Sequence, residues 1–331
     1  MTAVDRLHPV LLHHIVNSLG WPDVRPLQRD AVEPLMDGYD ALLLAPTAGG
    51  KTEAALFPLL TRMAAENWSG TSVLYLCPLK ALLNNLLPRV QRYAGWLGRR
   101  AELWHGDVGA TARRAVLREP PDMLLTTPES LEAMLVSVKV DHRSLFADLR
   151  AIVVDEVHAF AGDDRGWHLL AVMERLTRVV GRPLQRVGLS ATVGNPEALK
   201  GWLQGAKAGT RPATVVAPDL PVRVSDRPAA PAAVELDYVG SLENAARVVA
   251  ALNAGEKRLV FCESRKVVEE LGVALRRLGV TTFLSHASLS LDERRRAERA
   301  FAEARGCVIV ATSTLELGVD VGDLDRVIQI D

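Results

Sequence analysis

The sequence predicts an α/β protein with two domains in tandem, each a mainly parallel sheet flanked by helices, the second of them incomplete. The 331 residues exceed what one hydrophobic core usually organises. From about residue 40, short apolar segments alternate with longer amphipathic ones, as in parallel sheets covered on both faces. A proline-rich stretch at residues 208–233 interrupts this alternation once, and the alternation then starts again.

The first domain, residues 1–212, contains apolar segments that predict buried strands. They are Ala41–Ala45, Val73–Cys77, Met123–Thr126, Ala151–Asp155 and Arg186–Ser190. Amphipathic segments between them predict helices at Thr52–Ala65, Ala81–Trp96, Pro128–Val138 and Trp167–Val180. Because strands and helices alternate, we expect parallel strands whose carboxyl ends share one edge of the sheet.

Residues 213–233 are predicted to form an extended connection, with room for one or two edge strands, because repeated prolines exclude a long helix. The second domain, residues 234–331, has a similar pattern. Strands are predicted at Val234–Val239, Arg258–Cys262, Thr281–Leu284, Cys307–Ala311 and Arg326–Ile330. Helices are predicted at Leu242–Asn253, Arg265–Leu278 and Leu291–Ala304.

Composition excludes several classes of protein. With 48% apolar and 24% charged residues, the chain is typical of globular proteins. It has no apolar run of bilayer length and no secretory signal pattern at its start, so no membrane partner is expected. Cys77, Cys262 and Cys307 lack the spacing of a zinc site or a disulfide framework, which favours a reducing cytoplasm. We expect a cytoplasmic monomer.

The strongest motif, APTAGGKTEAA at Ala45–Ala55, follows a predicted strand and opens a predicted helix. Its spacing is that of a phosphate loop, with alanine in place of the first glycine. Small residues let backbone N–H groups surround a phosphate, and the helix presents its positive end. A plain glycine-rich turn is the weaker alternative, because both flanking elements are present. We expect ATP and Mg²⁺ to be bound here, by Ala45, Pro46, Thr47, Ala48, Gly49, Gly50, Lys51 and Thr52.

Two carboxylates end another predicted strand, in AIVVDEVH at Ala151–His158. An acidic residue at the carboxyl end of a buried parallel strand lies beside the phosphate loop. We expect Asp155 and Thr52 to hold Mg²⁺, Lys51 to reach the β- and γ-phosphates, and Glu156 to act as general base. A lone Asp-Glu pair is usually a solvated strand end, but its combination with a phosphate loop favours catalysis.

The DEVH sequence Asp155–His158 resembles the DEAD/DEAH-box motif of superfamily 2 helicases, and further segments resemble the other motifs of that superfamily in the same order. They are Gln28 within RPLQRDAV, Pro78–Leu82, Thr127–Ser130, Ser190–Thr192, Val260–Arg265 and Ala311–Asp320. Four segments are most similar to the Lhr-like, or large helicase-related, branch. These are the phosphate loop, WHGD at Trp104–Asp107, SHASLS at Ser285–Ser290, and TLELGVDVGDLDRVIQ at Thr314–Gln329.

The resemblance implies two RecA-like domains and an ATP-driven translocase that moves 3′ to 5′ on single-stranded nucleic acid, usually DNA. It implies that Gln28 recognises adenine and that Gly318 and Asp320 lie at the nucleotide. It implies that His158 couples hydrolysis to the Ser190–Thr192 motif, through Ser190 and Thr192. The implied nucleic-acid contacts are Pro78, Lys80, Thr127, Pro128, Ser264, Arg265 and Thr312.

Several of these residues have simpler interpretations. A threonine or serine after a strand often caps the next helix, which fits Thr127 before Pro128. A lysine that opens a helix, such as Lys80, is usually solvated. His158 could be a satisfied polar residue near the core. The basic run Arg294–Arg296 is interpreted as a solvated helix face, with nucleic-acid contact as the minority alternative.

Two alternatives to a DNA motor stay open: an RNA helicase, and a non-motor ATP- and nucleic-acid-binding module of a larger complex. In the family, a motif Q-x-x-G-R-x-G-R supplies arginine fingers, which are worth roughly 10³–10⁵ in rate in NTPases. The sequence up to Asp331 does not contain this motif. We therefore expect these residues to be part of a longer helicase, and to bind ATP–Mg²⁺ but hydrolyse it slowly.

Overall fold

The computed structural model describes residues 3–46, 49–218, 235–286, 288, 289, 293, 296, 297, 304–312 and 324–330. The chain divides into two compact units, residues 1–223 and 224–331. Each unit contains its own parallel sheet with helices between the strands. The α/β class with two tandem domains is therefore confirmed, and the domain boundaries given above stay predictions.

The first unit contains a seven-stranded sheet. Its strands are β1 Asp40–Leu44, β2 Val73–Leu76, β3 Ala101–Trp104, β4 Met123–Thr126, β5 Ala151–Val154, β6 Gln185–Ser190 and β7 Ala213–Val216. Their order across the sheet is β3-β4-β2-β5-β6-β1-β7, and every neighbouring pair is parallel. All carboxyl ends consequently lie at one edge, where loops lead into the helices.

The helices of the first unit are α1 Pro9–Asn17, α2 Pro26–Met36, α3 Lys51–Ala65, α4 Lys80–Gly95, α5 Ala110–Arg118, α6 Pro128–Val136, α7 His142–Leu145, α8 Asp164–Val180 and α9 Pro196–Gln204. Helices α6, α8 and α9 are capped by Thr127, Asp163 and Asn195. The side chain of each accepts a hydrogen bond from a backbone N–H in the first turn. Gly181 ends α8 in the left-handed conformation, with φ of 73°.

The core of the first unit forms on the sheet faces. Strands β1, β2, β4, β5 and β6 are buried at every residue, which explains why they are continuous apolar runs in the sequence. Phe57, Tyr75, Phe146 and Phe160 are the largest fully buried aromatic side chains. This close packing holds the strand ends, and the loops that follow them, in fixed positions.

The second unit contains a four-stranded parallel sheet in the order β11-β8-β10-β9. Its described elements are α10 Leu242–Ala251, β8 Arg258–Cys262, α11 Arg265–Arg277, β9 Thr282–Ser285, β10 Val308–Ala311 and β11 Arg326–Ile330. Buried apolar side chains of β8, α11 and β10 form its core. The strands and helices predicted at these positions are confirmed.

The predicted strand Val234–Val239 is wrong over its described residues, since 235–239 form no strand. Leu236 and Tyr238 are 93% and 97% exposed, so the alternating pattern there has no sheet surface to cover it. The predicted helix Leu291–Ala304 lies mostly outside the described residues, and so do residues 219–233 of the predicted connection.

Strand β7 lies within the predicted connection and pairs with β1 as an edge strand of the sheet, in agreement with the expectation of one or two edge strands there. Strand β3 and helices α1, α2, α5, α7 and α9 were not predicted. Edge strand β3 is only half-buried at Glu102 and Leu103, and α5 buries only Val116, so neither has a strong hydrophobic pattern.

The three cysteines, Cys77, Cys262 and Cys307, are free and buried. Within the described part of the chain, no helix combines the length and the apolar character needed to cross a bilayer.

Asp40, at the start of β1, joins several elements of the first unit. Its Oδ1 accepts hydrogen bonds from the Arg186 backbone N–H at 2.7 Å and from Arg211 Nη2 at 2.8 Å. Its Oδ2 accepts one from Gln204 Nε2 at 3.0 Å. The Asp40 side chain is 2% exposed, so these donors replace water around a buried carboxylate.

We predict that Asp40→Ala lowers the free energy of unfolding of the first unit by about 3–5 kcal/mol, because buried Gln204 and partly buried Arg211 lose a carboxylate acceptor. Urea titration followed by tryptophan fluorescence measures this, since all six tryptophans lie in the first unit. The control is Asp37→Ala, which removes a 48% exposed partner of Arg6 and should cost less than about 1 kcal/mol. Equal unfolding midpoints for the two variants would contradict the prediction.

Candidate nucleotide-binding and hydrolysis site

The order of three central strands brings the predicted catalytic segments together. Strand β6 pairs with β1 on one side and with β5 on the other, always in parallel. The phosphate loop follows β1, the DEVH segment follows β5, and Ser190 ends β6. These three segments therefore meet at the carboxyl edge of the sheet, where open α/β sheets bind ligands.

The phosphate loop requires glycine at two described positions. A Cβ at Gly49 would lie 2.6 Å from Ala45 Cβ and 2.8 Å from the Pro46 carbonyl oxygen. Gly50 precedes α3 with φ of 80°, and a Cβ there would lie 2.4 Å from Gln28 Nε2. The loop can therefore close tightly only because these residues lack side chains.

Lys51 and Gln28 are held against this loop. Lys51 Nζ donates hydrogen bonds to the carbonyl oxygens of Ala45 at 2.8 Å and Pro46 at 3.1 Å. Gln28 is buried; its Nε2 donates to the Gly50 carbonyl at 3.3 Å, and its Oε1 accepts from the Arg25 backbone N–H at 2.9 Å. The predicted adenine-reading glutamine thus lies beside the phosphate loop. Thr47 and Ala48 lie outside the described residues.

Asp155 is held by two donors. Tyr75 Oη donates to its Oδ2 at 2.6 Å, and the Glu156 backbone N–H donates to its Oδ1 at 2.9 Å. Burial raises the pKa of Asp155, whereas the Tyr75 hydrogen bond and the Lys51 charge act in the opposite direction. Burial raises the pKa of Tyr75 well above its usual range, so the phenol stays protonated and can donate.

Sequence reasoning missed Tyr75. The available sign was a hydroxyl-bearing side chain within the otherwise apolar run VLYLC. Its function as a partner of Asp155 depends on the pairing of β2 with β5, which places Tyr75 opposite Val153. That pairing cannot be deduced from the position of Tyr75 in the chain.

Glu156 has a left-handed backbone conformation, with φ and ψ both 48°. This conformation is uncommon for a residue with a side chain and costs on the order of 1–3 kcal/mol. Burial and the neighbouring Asp155 charge raise the pKa of Glu156, while Lys51 opposes the shift. A raised pKa moves a carboxylate toward the range in which it can accept a proton near neutral pH.

The hydrogen bonds of His158 determine where its proton lies. Its Nδ1 is 3.4 Å from the Ala191 backbone nitrogen, which can only donate, and 3.0 Å from Ser190 Oγ. Nδ1 is therefore the acceptor, and the neutral ring carries its proton on Nε2, which lies 3.5 Å from Glu156 Oε2. Burial and then the Lys51 charge lower the pKa of His158, which favours this neutral form.

This geometry distinguishes the two predicted partners of His158. Ser190 forms the expected contact through its hydroxyl. Thr192 is exposed and, among the described residues, makes no hydrogen bond with His158, so that expected bond is not formed. The histidine thus connects the carboxylate Glu156 with the end of strand β6.

Thr52 and Asp155 offer oxygen donors that suit Mg²⁺, a hydroxyl and a carboxylate. In the part of the chain that the structure describes, no group of three or more acidic, histidine or cysteine side chains could hold a metal by itself. Mg²⁺ usually takes few protein ligands and completes its shell with phosphate oxygens and water. The donor set and the loop without side chains at Gly49 and Gly50 therefore fit an ATP–Mg²⁺ complex.

The predicted nucleic-acid contacts of the first unit follow the adjacent strands β2 and β4. Arg165, which sequence reasoning missed, bridges the two segments: its Nη2 donates to the Pro78 carbonyl at 2.9 Å and to Glu129 Oε1 at 2.8 Å. Thr127 is buried, and its hydroxyl oxygen accepts from the Ser130 backbone N–H at 3.3 Å. The capping interpretation of Thr127 is thereby supported, while its contact with nucleic acid, like that of Pro128, stays a prediction.

Lys80, at the same edge of the sheet, forms an ion pair with Asp107. Its Nζ lies 3.1 Å from Asp107 Oδ1, in the WHGD segment. His105 of that segment is buried, and its Nε2 lies 3.1 Å from Asn84 Oδ1 in α4. The WHGD loop therefore packs along the helix that Lys80 begins.

In the second unit, the predicted contact residues follow the carboxyl ends of neighbouring strands β8 and β10. Ser264 caps α11 by accepting from the Val267 backbone N–H at 3.3 Å. Exposed Arg265 donates from Nη1 to Ser288 Oγ at 2.7 Å, and Thr312 is buried. Gly318 and Asp320 lie outside the described residues.

Comparison with known proteins agrees with this architecture. Residues 25–199 match the DEAD/DEAH box helicase family, and residues 242–331 match the helicase conserved C-terminal domain. The Lhr helicase of Mycolicibacterium smegmatis is 34% identical over 92% of this chain. The Lhr helicase/uracil glycosylase of Escherichia coli is 32% identical over 88% of it. This chain spans 23% of the length of each of these two relatives.

An ATP-dependent helicase Lhr-Core of Methanothermobacter thermautotrophicus is 30% identical over 92% of this chain, which spans 38% of its length. The solved structure of Mycobacterium smegmatis helicase Lhr bound to ssDNA and AMP-PNP is similar with a TM-score of 0.79 at 33% identity. The match covers 99% of this chain and 44% of that one. It confirms the RecA-like domains, and the relatives confirm the resemblance to the Lhr branch. Because residues 25–199 are more than half of the 331 residues, the chain belongs to the DEAD/DEAH box helicase family.

Proposed function

We propose that this chain is the core of an ATP-dependent motor that moves 3′ to 5′ on single-stranded nucleic acid, with DNA favoured. The observation that carries the proposal is the meeting of Lys51, Asp155, Glu156 and His158 at one edge of one sheet. The Glu156 backbone N–H donates to Asp155 Oδ1 at 2.9 Å, and His158 Nε2 lies 3.5 Å from Glu156 Oε2. A structural role alone would not require an ammonium, two carboxylates and an oriented imidazole together.

Nucleotide binding is assigned to the phosphate loop. Lys51 would exchange its bonds to the Ala45 and Pro46 carbonyls for phosphate oxygens, which are stronger acceptors. Gln28, fixed beside Gly50, would contact the base. Thr52 and Asp155 would hold Mg²⁺, which supplies charge neutralisation for the phosphates when bound.

Hydrolysis is assigned to the DEVH segment. Glu156 would orient and deprotonate the attacking water, since its pKa is raised by burial and by Asp155. The neutral His158 would donate Nε2–H to the Glu156 carboxylate and accept from the Ser190 hydroxyl at Nδ1. A movement of Glu156 would therefore be transmitted through the imidazole ring to Ser190. This connection is our proposed route from hydrolysis to the end of β6, while Thr192 could join it only after a rearrangement.

Translocation on DNA is proposed from the relative solved with ssDNA and AMP-PNP. The candidate contacts in the first unit are Pro78, Lys80, Thr127 and Pro128. In the second unit they are Ser264, Arg265 and Thr312. Backbone amides, hydroxyls and a few cations bind phosphates in such tracks, which fits the residue types but does not distinguish DNA from RNA.

We predict that Lys51→Ala weakens binding of a fluorescent AMP-PNP analogue by roughly 10- to 100-fold, because a charge-assisted hydrogen bond to phosphate is lost. Equilibrium fluorescence titration measures the Kd. The control Lys80→Ala should leave that Kd unchanged, but reduce the salt slope of oligonucleotide binding by about one. Unchanged nucleotide affinity in Lys51→Ala would reject the phosphate-loop assignment.

We predict that the rate of ATP hydrolysis decreases toward acid pH, and that the midpoint of this decrease lies above the ordinary pKa of a glutamate. The base acts only as a carboxylate, so the rate decreases as pH falls through the raised pKa of Glu156. Glu156→Gln should lower the rate by about 10²–10⁴ and remove this acid limb, with nucleotide affinity retained. Single-turnover phosphate release, with protein in excess, detects slow rates. An unaltered pH profile in the variant would contradict the role of Glu156.

We predict that single-stranded DNA displaces a labelled oligonucleotide from the chain more effectively than RNA of the same sequence. Competition by fluorescence anisotropy, at one stated salt concentration, measures both affinities. Tighter binding of RNA would favour the RNA helicase alternative. Equal affinities would indicate a track recognised through the phosphate backbone alone.

A further inference from the structure

Helix α4 reaches the nucleotide site through Arg89. Its Nη2 donates a hydrogen bond to Thr52 Oγ1 at 2.9 Å, and its Nε lies 3.5 Å from Glu53 Oε1. Both acceptors lie in the first turn of α3, directly after the phosphate loop. One guanidinium therefore contacts the proposed Mg²⁺ ligand and the residue after it.

Glu53 is a second partner for the Arg89 guanidinium, besides Thr52. The Glu53 side chain is 6% exposed, and its Oε1 accepts from Tyr93 Oη at 2.8 Å. Burial, and then the Glu53 carboxylate, raise the pKa of Tyr93, so the phenol remains a donor. A buried carboxylate needs such partners, and both come from positions i and i+4 on one face of α4. Glu53 therefore keeps α4 attached to α3 whether or not Arg89 also contacts Thr52.

Arg89 and a divalent cation would compete at Thr52. A threonine hydroxyl has two lone pairs, and Arg89, which can only donate, occupies one of them. A cation on the other lone pair would lie close to the guanidinium, with strong repulsion in this partly buried site. The Arg89 side chain is 48% exposed, so it can withdraw from Thr52 while its charge stays near Glu53.

The same helix begins with Lys80, a predicted contact to nucleic acid. Lys80 and Arg89 are nine positions apart in α4, which is roughly 14 Å along a helix axis. Lys80 is held by Asp107, and His105 in the same loop contacts Asn84 of α4. A displacement of α4 at Arg89 would therefore reach the residues at its nucleic-acid end.

We propose that Arg89 is a positioning residue that competes with the divalent cation for Thr52 and thereby couples helix α4 to the nucleotide site. The inference rests on the proposed function, because it takes Thr52 as a Mg²⁺ ligand. Binding of nucleotide with Mg²⁺ would shift the Arg89 guanidinium from Thr52 toward Glu53, and would thereby change the contacts with α3 made by α4, the helix that carries Lys80. Binding of nucleic acid would, by reciprocity, change the affinity for Mg²⁺.

The first experiment titrates Mg²⁺ into the purified chain at a fixed concentration of a fluorescent AMP-PNP analogue. Arg89→Gln should lower the Mg²⁺ concentration for half-maximal binding by roughly fivefold or more, because the competing charge is removed. Arg92→Gln is the matched control: it removes the same charge from an exposed position of α4 and should leave that midpoint unchanged. An unchanged or higher midpoint in Arg89→Gln would overturn the proposal.

Folding and the proposed function are checked separately. Tryptophan fluorescence reports whether Arg89→Gln is folded; if it is not, Arg89→Met, which keeps a long side chain without a charge, should lower the Mg²⁺ midpoint by a similar factor. In a Thr52→Ala background, Arg89→Gln should have no further effect. Nucleotide binding that is insensitive to Lys51→Ala rejects the proposed function itself, whereas intact Lys51 dependence with an unshifted Mg²⁺ midpoint rejects only the role of Arg89.

The second experiment repeats the Mg²⁺ titration with saturating oligo(dT). The unsubstituted chain should show a shifted midpoint, and Arg89→Gln should show a shift at least about threefold smaller. A shift of full size in Arg89→Gln would overturn the coupling through α4, even if the variant lowered the midpoint in the first experiment.

Discussion

The parallel order β5-β6-β1 is the constraint on which the proposed site depends. Because these three strands are buried and run in the same direction, the segments that follow them emerge at one edge of the sheet. The phosphate loop, the DEVH segment and Ser190 are distant in sequence, and each follows or ends a different strand. An antiparallel arrangement of any one strand would move its segment to the opposite edge. Loss of this order would therefore remove the site as a whole.

Electrostatic balance at this edge follows from burial. Asp155 and Glu156 lie where desolvation disfavours their charges, and Lys51 is the nearby cation that opposes this effect. The same cation, together with burial, keeps His158 neutral, so that the ring can accept at Nδ1 and donate at Nε2. One lysine thus favours charged carboxylates and an uncharged imidazole at the same time. The left-handed backbone at Glu156 indicates that this arrangement is maintained at some cost in strain.

Close backbone approach is the second requirement of the site. Side chains at Gly49 or Gly50 would collide with Ala45, Pro46 or Gln28, so the loop and the helix α2 that carries Gln28 can pack only as they do. On the other side of α3, Arg89 and Tyr93 bind Thr52 and Glu53. Two helices therefore hold the start of α3. Helix α2 carries Gln28, the predicted base contact, and helix α4 begins with Lys80, a predicted nucleic-acid contact. This placement is the physical basis for the proposed coupling through Arg89.

The sequence by itself determined the fold class, the family and the residue types of the site, because continuous apolar runs and motif spacing are local properties of the chain. Lys51, Thr52, Asp155, Glu156 and His158 could all be named in this way. Weakly patterned elements could not: β3 and α5 bury too few residues, and the exposed segment 235–239 carries an apolar alternation without a sheet to cover it. Only the tertiary structure decided the partners, namely Tyr75 for Asp155, Ser190 rather than Thr192 for His158, and Arg89 for Thr52. Such contacts depend on which strands and helices are neighbours in space. The spacing of residues along the chain does not predict these neighbours.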